Sequence, residues 1–132
     1  MKRTPVSLLL LCLMTGPAAA QPPDVATVMS KELGDIAGKE VVMITVEFPP
    51  GGSDPVHRHD AHGFIYVLEG SVVMQVRGGK EVTLTPGQSF YEGPEDVHVV
   101  GRNASNTRAA KLLAVLIKDK GAPILVPVEQ SP

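Results

Sequence analysis

The chain has 132 residues, 43% of them apolar and 20% charged, with a formal net charge of −2. A chain of this size buries one core rather than two. Its 12 basic and 14 acidic side chains form no basic run, which argues against nucleic acid and anionic membrane as partners.

The first twenty residues read as a processing signal. Lys2 and Arg3 precede an apolar run, Val6 to Met14, that is too short to span a bilayer. Thr15-Gly16-Pro17 breaks the run, and Ala18-Ala19-Ala20 offers the small residues of a cleavage site. Cleavage is expected after Ala20, which leaves residues 21–132 as one domain with no membrane segment. A lipid anchor on Cys12 does not fit, because Leu11 stands where a small residue is required. The mature chain then has no cysteine, and export without disulfides suits a bacterial periplasm, with secretion also open.

After a Pro-containing lead-in, Val25 to Leu33 is compatible with either a helical turn or a strand. Gly38-Lys39 lacks the earlier glycine of a phosphate loop. Glu40 to Phe48 is a predicted strand, rich in Val, Ile and Thr and ended by Pro49-Pro50-Gly51-Gly52. Pro55 to His59 is a short extended piece, and Phe64 to Glu69 is the next strand. Ser71 to Arg77 and Glu81 to Thr85 form a hairpin across Gly78-Gly79. Ser89 to Glu92, Val97 to Arg102 and Ala109 to Lys118 follow. A last extended piece, Ile124 to Val128, is an edge at best, because Pro127 cannot donate to a ladder. Many short strands punctuated by Gly and Pro, with no sustained helical period, predict an all-β antiparallel sandwich or barrel. Phe64 to Leu68 and Val41 to Ile44 are apolar on both faces, so something must cover the outer one. The N-terminal segment can do this, as can a second subunit; a homodimer packed sheet on sheet is expected.

All four histidines fall in two glycine-rich blocks, GGSDPVHRHDAHGFIYVLEG and PGQSFYEGPEDVH. His57 and His59 are two apart, which on a strand puts both rings on one face. Neutral imidazoles held together in this way suit a divalent transition metal. A single histidine is more often a surface or core side chain, but clustering of all four is not explained in that way. Met43, Phe48, Ile65, Val67, Met74 and Phe90 are candidates to line the interior, with plain core packing as their ordinary role. Tyr66 and Tyr91 can bring a hydroxyl near a metal or face outward. Arg58, between two ligands, should point out to a salt bridge, and Asp60 either supports a ligand histidine or caps the turn. No Ser–His or Cys–His pair is available for nucleophilic catalysis.

The block Gly51 to Gly70, with Gly51, five residues, His57, one residue and His59, resembles the first motif of the cupin family. The block from Pro86-Gly87 through His98 to Asn103 resembles the second. The resemblance implies a double-stranded β-helix, or jelly-roll barrel. It further implies iron, manganese, zinc, copper or nickel bound inside the barrel, and often a dimer. Two departures stand out. Gly63 occupies the position of the family's glutamate ligand, with no carboxylate expected to replace it. Gly93 stands where proline is common, and Asn103 comes one residue late. His57, His59 and His98 are therefore the expected ligands. His62 is the expected fourth, provided that Asp60 and Ala61 bend the chain to turn it inward. Otherwise it is a rim residue.

An all-imidazole shell leaves the ion's charge uncompensated and favours an anionic or chelating small molecule. Two functions follow: a metal-dependent, dioxygenase-like enzyme acting on such a molecule, or a non-catalytic periplasmic cupin that binds a metal or small ligand. A barrel with no metal is the third.

Overall fold

The computed structural model describes residues 19–129. Most of the expected signal segment, Met1 to Ala20, lies outside them. The described residues contain ten strands and no helix: β1 Asp24–Glu32, β2 Lys39–Phe48, β3 His57–Arg58, β4 Ala61–Glu69, β5 Val72–Val76, β6 Val82–Leu84, β7 Ser89–Glu92, β8 His98–Asn103, β9 Ala110–Asp119 and β10 Val126–Pro127. They form two five-stranded antiparallel sheets, ordered β1-β2-β9-β4-β7 and β10-β3-β8-β5-β6. This is the jelly-roll expected from the sequence.

The open question over Val25 to Leu33 resolves as strand. β1 pairs with β2 from Glu40 to Glu47, with a bulge between Thr27 and Met29. Pro127 lies in β10 at the edge of the second sheet, where its missing N–H costs no ladder bond.

Strict alternation builds the core. Val42, Ile44, Val46 and Phe48 of β2 share the inner face of the first sheet with Leu112, Ala114 and Leu116 of β9 and Ile65 and Val67 of β4, and meet Val72 and Met74 of β5 from the second. Met43, expected inside, is on the opposite face of β2, because burial of Val42 and Ile44 sets the phase. Phe90 is partly buried against the core.

Two polar anchors shape the ends. Asn103 is buried and its amide donates to the carbonyls of Phe48, Pro49 and Arg108, tying β8 to two loops. Lys118 turns inward at the end of β9. Its ammonium donates to Glu40 and to the carbonyls of Asp119 and Ala122. The lysine bond holds the Glu40 carboxyl below its ordinary proton affinity. Lys118 thus pins the turn from which the C-terminal segment crosses to β3.

Candidate metal centre

Three of the four histidines converge. His57 and His98 face each other across β3 and β8, and His59 follows directly after β3. Their ring nitrogens all lie within 4.8 Å of one another and can hold a metal ion. His57 Nε2 is 3.0 Å from His59 Nε2 and 3.4 Å from His98 Nδ1.

The tautomers of two rings are set by backbone carbonyls. His57 Nδ1 donates to Pro55 O at 2.8 Å, and His59 Nδ1 donates to Ile124 O. Each neutral ring therefore turns a bare Nε2 toward the other. Two lone pairs at that distance repel unless a proton or a cation lies between them. His98 Nε2 is buried with no partner among the described residues. On His57 and His59, outward nitrogens held by carbonyls and inward nitrogens left bare are how a protein presents imidazoles to a metal. The donor set fits a divalent transition ion.

Burial, together with the neighbouring rings, lowers the proton affinity of His57 to about 4, against the pull of the Pro55 carbonyl and Glu92. His98 is lowered too, chiefly by burial. His59 differs: burial opposes its charged form, but the hydrogen bond and charge of Glu92 and the Ile124 carbonyl outweigh it, so its affinity is raised.

His62 is not brought in. The expected bend exists, with Asp60 in the left-handed region at φ 48° and its carboxylate bonded to Arg58 Nε at 2.7 Å. The bend starts β4 in the phase that buries Ala61, Gly63, Ile65 and Val67, so His62 points out with Phe64 and Tyr66. There its Nδ1 lies 2.7 Å from the Tyr91 hydroxyl. Tyr66 and Tyr91 both face outward, away from the three rings. Arg58 takes its expected outward salt bridge.

Two carboxylates complete the centre. Glu92, only 3% exposed, places Oε1 at 3.1 Å from His59 Nε2 and Oε2 at 3.7 Å from His98 Nδ1. Burial works against its charge, but the three rings outweigh this and lower its proton affinity. The expected absence of any carboxylate is thereby corrected. The signal was available, since Glu92 is two residues after Phe90 on one strand and shares its inward face. Asp54 lines the same cavity. Burial and the charge of Glu92 push its carboxyl up to about 7, against the pull of His59. Gly101 makes room for it: a Cβ there would stand 2.7 Å from Asp54 Oδ2 and 2.8 Å from His98 Cε1.

The cavity measures about 260 Å³. Ile44, Val46, Phe48, Ile65, Met74 and Leu112 make its walls, and its polar lining is Asp54, His57, His59, Glu92 and His98. Fold and site together define a small antiparallel barrel with an internal histidine cluster able to bind a metal.

The cupin domain family matches residues 44–116, more than half of the chain, and the protein belongs to that family. The fold is similar to that of the DMSP lyase DddQ from Ruegeria pomeroyi (18% identity, TM-score 0.65, 80% of this chain and 51% of that one). It is also similar to a double-stranded β-helix protein from Klebsiella pneumoniae (16%, 0.65, 86% and 90%). An oxalate oxidase solved with the substrate analogue glycolate is a third (25%, 0.57, 67% and 46%). The chain spans about half the length of the lyase and of the oxidase. No curated protein matches it.

Proposed function

We propose that the protein is an exported metal-dependent cupin that acts on a small anionic molecule with an apolar body. The observation that carries this reading is the pair of Nε2 atoms of His57 and His59, 3.0 Å apart with both Nδ1 atoms committed to carbonyls. His57, His59 and His98 would hold a divalent transition ion. The ion would supply a Lewis-acid contact for an anionic head group and an electron-transfer partner if it is redox-active. Iron, manganese, copper, nickel and zinc all suit the ring nitrogens.

The walls define the rest of the molecule. Among the described residues no Lys or Arg lines the cavity, so a bound anion has only the cationic centre there to pair with. Apolar walls accept a short hydrocarbon or aromatic body. The volume falls below the about 300–1,000 Å³ usual for drug-sized ligands. Asp54 can hold or release a proton at the metal end of the cavity. Similarity to an oxalate oxidase that binds glycolate supports a carboxylate head. A molecule with a second carboxylate finds no cationic side chain for it here, which favours monoanions. The chemistry we favour is oxygenase-like.

Protein recovered from the periplasm of a bacterial host should begin at Gln21 by intact mass and contain about one transition metal ion per chain. Its iron-loaded form should consume oxygen with phenolic acids, β-diketones or thiols. Metal bound without oxygen uptake on any of these would leave a binding protein rather than an enzyme. Protein without metal after reconstitution would end the metal-dependent reading.

A further inference from the structure

We propose that Glu92 is itself a ligand of the metal, delivered from β7 into space that Gly63 leaves open on β4. The inference rests on the metal-dependent reading above and names a residue of the same site.

The register places Gly63 directly opposite Glu92 in the β4–β7 pair. A Cβ on Gly63 would stand 2.9 Å from Glu92 Cγ and 3.3 Å from Oε1. Any side chain at 63 therefore competes with the Glu92 carboxylate for one volume. The two positions are alternatives: a carboxylate reaches the three rings from one strand or from its neighbour, not from both.

The side from which Glu92 approaches decides its role. A carboxylate that only orients a ligand histidine bonds to the ring nitrogen away from the metal. On His57 and His59 that nitrogen is Nδ1, and backbone carbonyls already hold it. Glu92 instead meets His59 at Nε2, the nitrogen that faces the other rings, and lies nearest His98 at Nδ1, the nitrogen that also faces His57. Both carboxylate oxygens thus look into the volume shared by the inward nitrogens. A divalent ion there would keep one net positive charge, which matches a monoanionic ligand.

Cobalt(II) is the probe, because its visible spectrum reports the ligand set independently of activity. Glu92→Gln keeps the shape and removes the charge. It should lower cobalt affinity more than 100-fold, beyond the about 10–100-fold of losing an outer partner, and change the spectrum. Glu92→Gly combined with Gly63→Glu should recover affinity and spectrum. Wild-type protein that binds no cobalt sinks the metal-dependent reading as a whole. Wild-type binding with a Glu92→Gln loss within 100-fold and an unchanged spectrum overturns the role of Glu92 and leaves that reading intact. If the double variant does not fold, as judged by circular dichroism, Glu92→Gln alone decides.

A different observation carries a second inference, about the outer face of the first sheet. Pairing aligns its outward residues in rows across the strands. Ala26, Thr45, Leu113 and Tyr66 form one row; Met29, Met43, Val115, Phe64 and Tyr91 the next; Val41, Ile117 and His62 a third. Phe64, Tyr66, Tyr91 and Met29 are all about half exposed. Beyond this apolar band, one end carries Asp24, Glu47 and Glu69 against Lys111. The other carries Lys39 against Asp119, with Lys31 closing the third row beside Val41.

We infer that a second copy of the chain covers this face, with the strands of the two copies running in opposite directions. A two-fold axis in the plane of the sheet and across its strands brings the acidic end of each copy over the basic end of the other. An axis along the strands would set acid on acid. Strands about 4.8 Å apart and up to ten residues long at about 3.4 Å each give a face of up to roughly 800 Å². That is about what one partner contributes to a standard interface.

Sedimentation equilibrium of the purified protein should give twice the chain mass. Phe64→Lys with Val115→Lys, both on the outer face, should give a monomer with unchanged circular dichroism. Lys31→Glu with Lys39→Glu should weaken the dimer at low salt, and adding Glu47→Lys and Glu69→Lys should restore it. A wild-type monomer overturns the inference. So does a monomer that dimerises only once residues 1–20 are removed, since that segment would then be the cover. A dimer that survives Phe64→Lys with Val115→Lys places the contact elsewhere and overturns it too.

Discussion

At the scale of single residues, phase matters more than identity. His59 and His62 are three apart and equally able to bind a metal, yet only His59 joins the cluster. Ala61, Gly63, Ile65 and Val67 claim the inward face of β4, and His62 must then alternate outward. The same rule carries Glu92 inward beside Phe90. The electrostatic consequence is a pH dependence whose sign can be worked out. Above about pH 6.5 His57 is neutral in both folded and unfolded chains. Between that value and about 4 the unfolded chain takes up a proton that the buried ring refuses. His57 alone should therefore cost the metal-free protein about 3 kcal/mol of stability once pH is below the folded value. His98 acts in the same direction. Glu92, lowered in the fold, loses its contribution as pH drops through its folded value. His59 opposes them, because its raised affinity favours the folded state in acid and loses that contribution as pH rises through its folded value. Asp54, raised to about 7, opposes them as well, because its folded carboxyl keeps a proton that the unfolded one gives up. In urea unfolding of the metal-free proteins, wild type should lose more stability than His57→Gln between about pH 6.5 and about pH 4. An equal slope in both would contradict the buried neutral imidazole.

At the scale of strands, the turns decide where each ladder begins. Gly70 closes β4 at φ 69°, and an added Cβ there would lie 2.7 Å from Ala109 O and 2.8 Å from Ala110 Cα. Gly78, in the turn after β5, has a similar φ of 80° with open space around it. Gly78→Ala should cost only the left-handed penalty, about 1–2 kcal/mol. Gly70→Ala adds a collision with backbone that cannot rotate away, and should cost more than about 3 kcal/mol. Chemical denaturation of the two variants side by side tests this; equal losses would mean that the Gly70 turn relaxes freely. The C-terminal segment shows a different economy of elements. Only Val126 and Pro127 are strand, but the segment brings the Ile124 carbonyl to His59 and so sets that ring's tautomer. Lys118 holds the segment's start. Pro127 marked the segment as an edge in the sequence, yet no local pattern pointed to its carbonyl.

At the scale of the whole molecule, two sheets serve different purposes. Their facing sides make the core and a cavity that is apolar except at one end. The outer side of the first sheet is a second apolar surface, framed by opposite charges, and its assembly is tested by the sedimentation experiment above. If the three rings hold an ion, adding that ion to metal-free protein should raise the melting temperature in a thermal scan, because an ion that binds only the folded barrel shifts unfolding by mass action.

The amino-acid order by itself determined the class: short strands cut by Gly and Pro, an HxH pair in one short extended piece, and a distant His98 after a second turn. These are local periods, and period is a property of neighbouring residues. Only the tertiary structure decided which side chains meet. The pairing of β4 with β7 sets Gly63 against Glu92, and that of β3 with β8 sets His57 against His98. Those registers join positions about thirty and forty residues apart in the chain. They are chosen by how all the inward faces pack at once, which no single stretch of sequence contains.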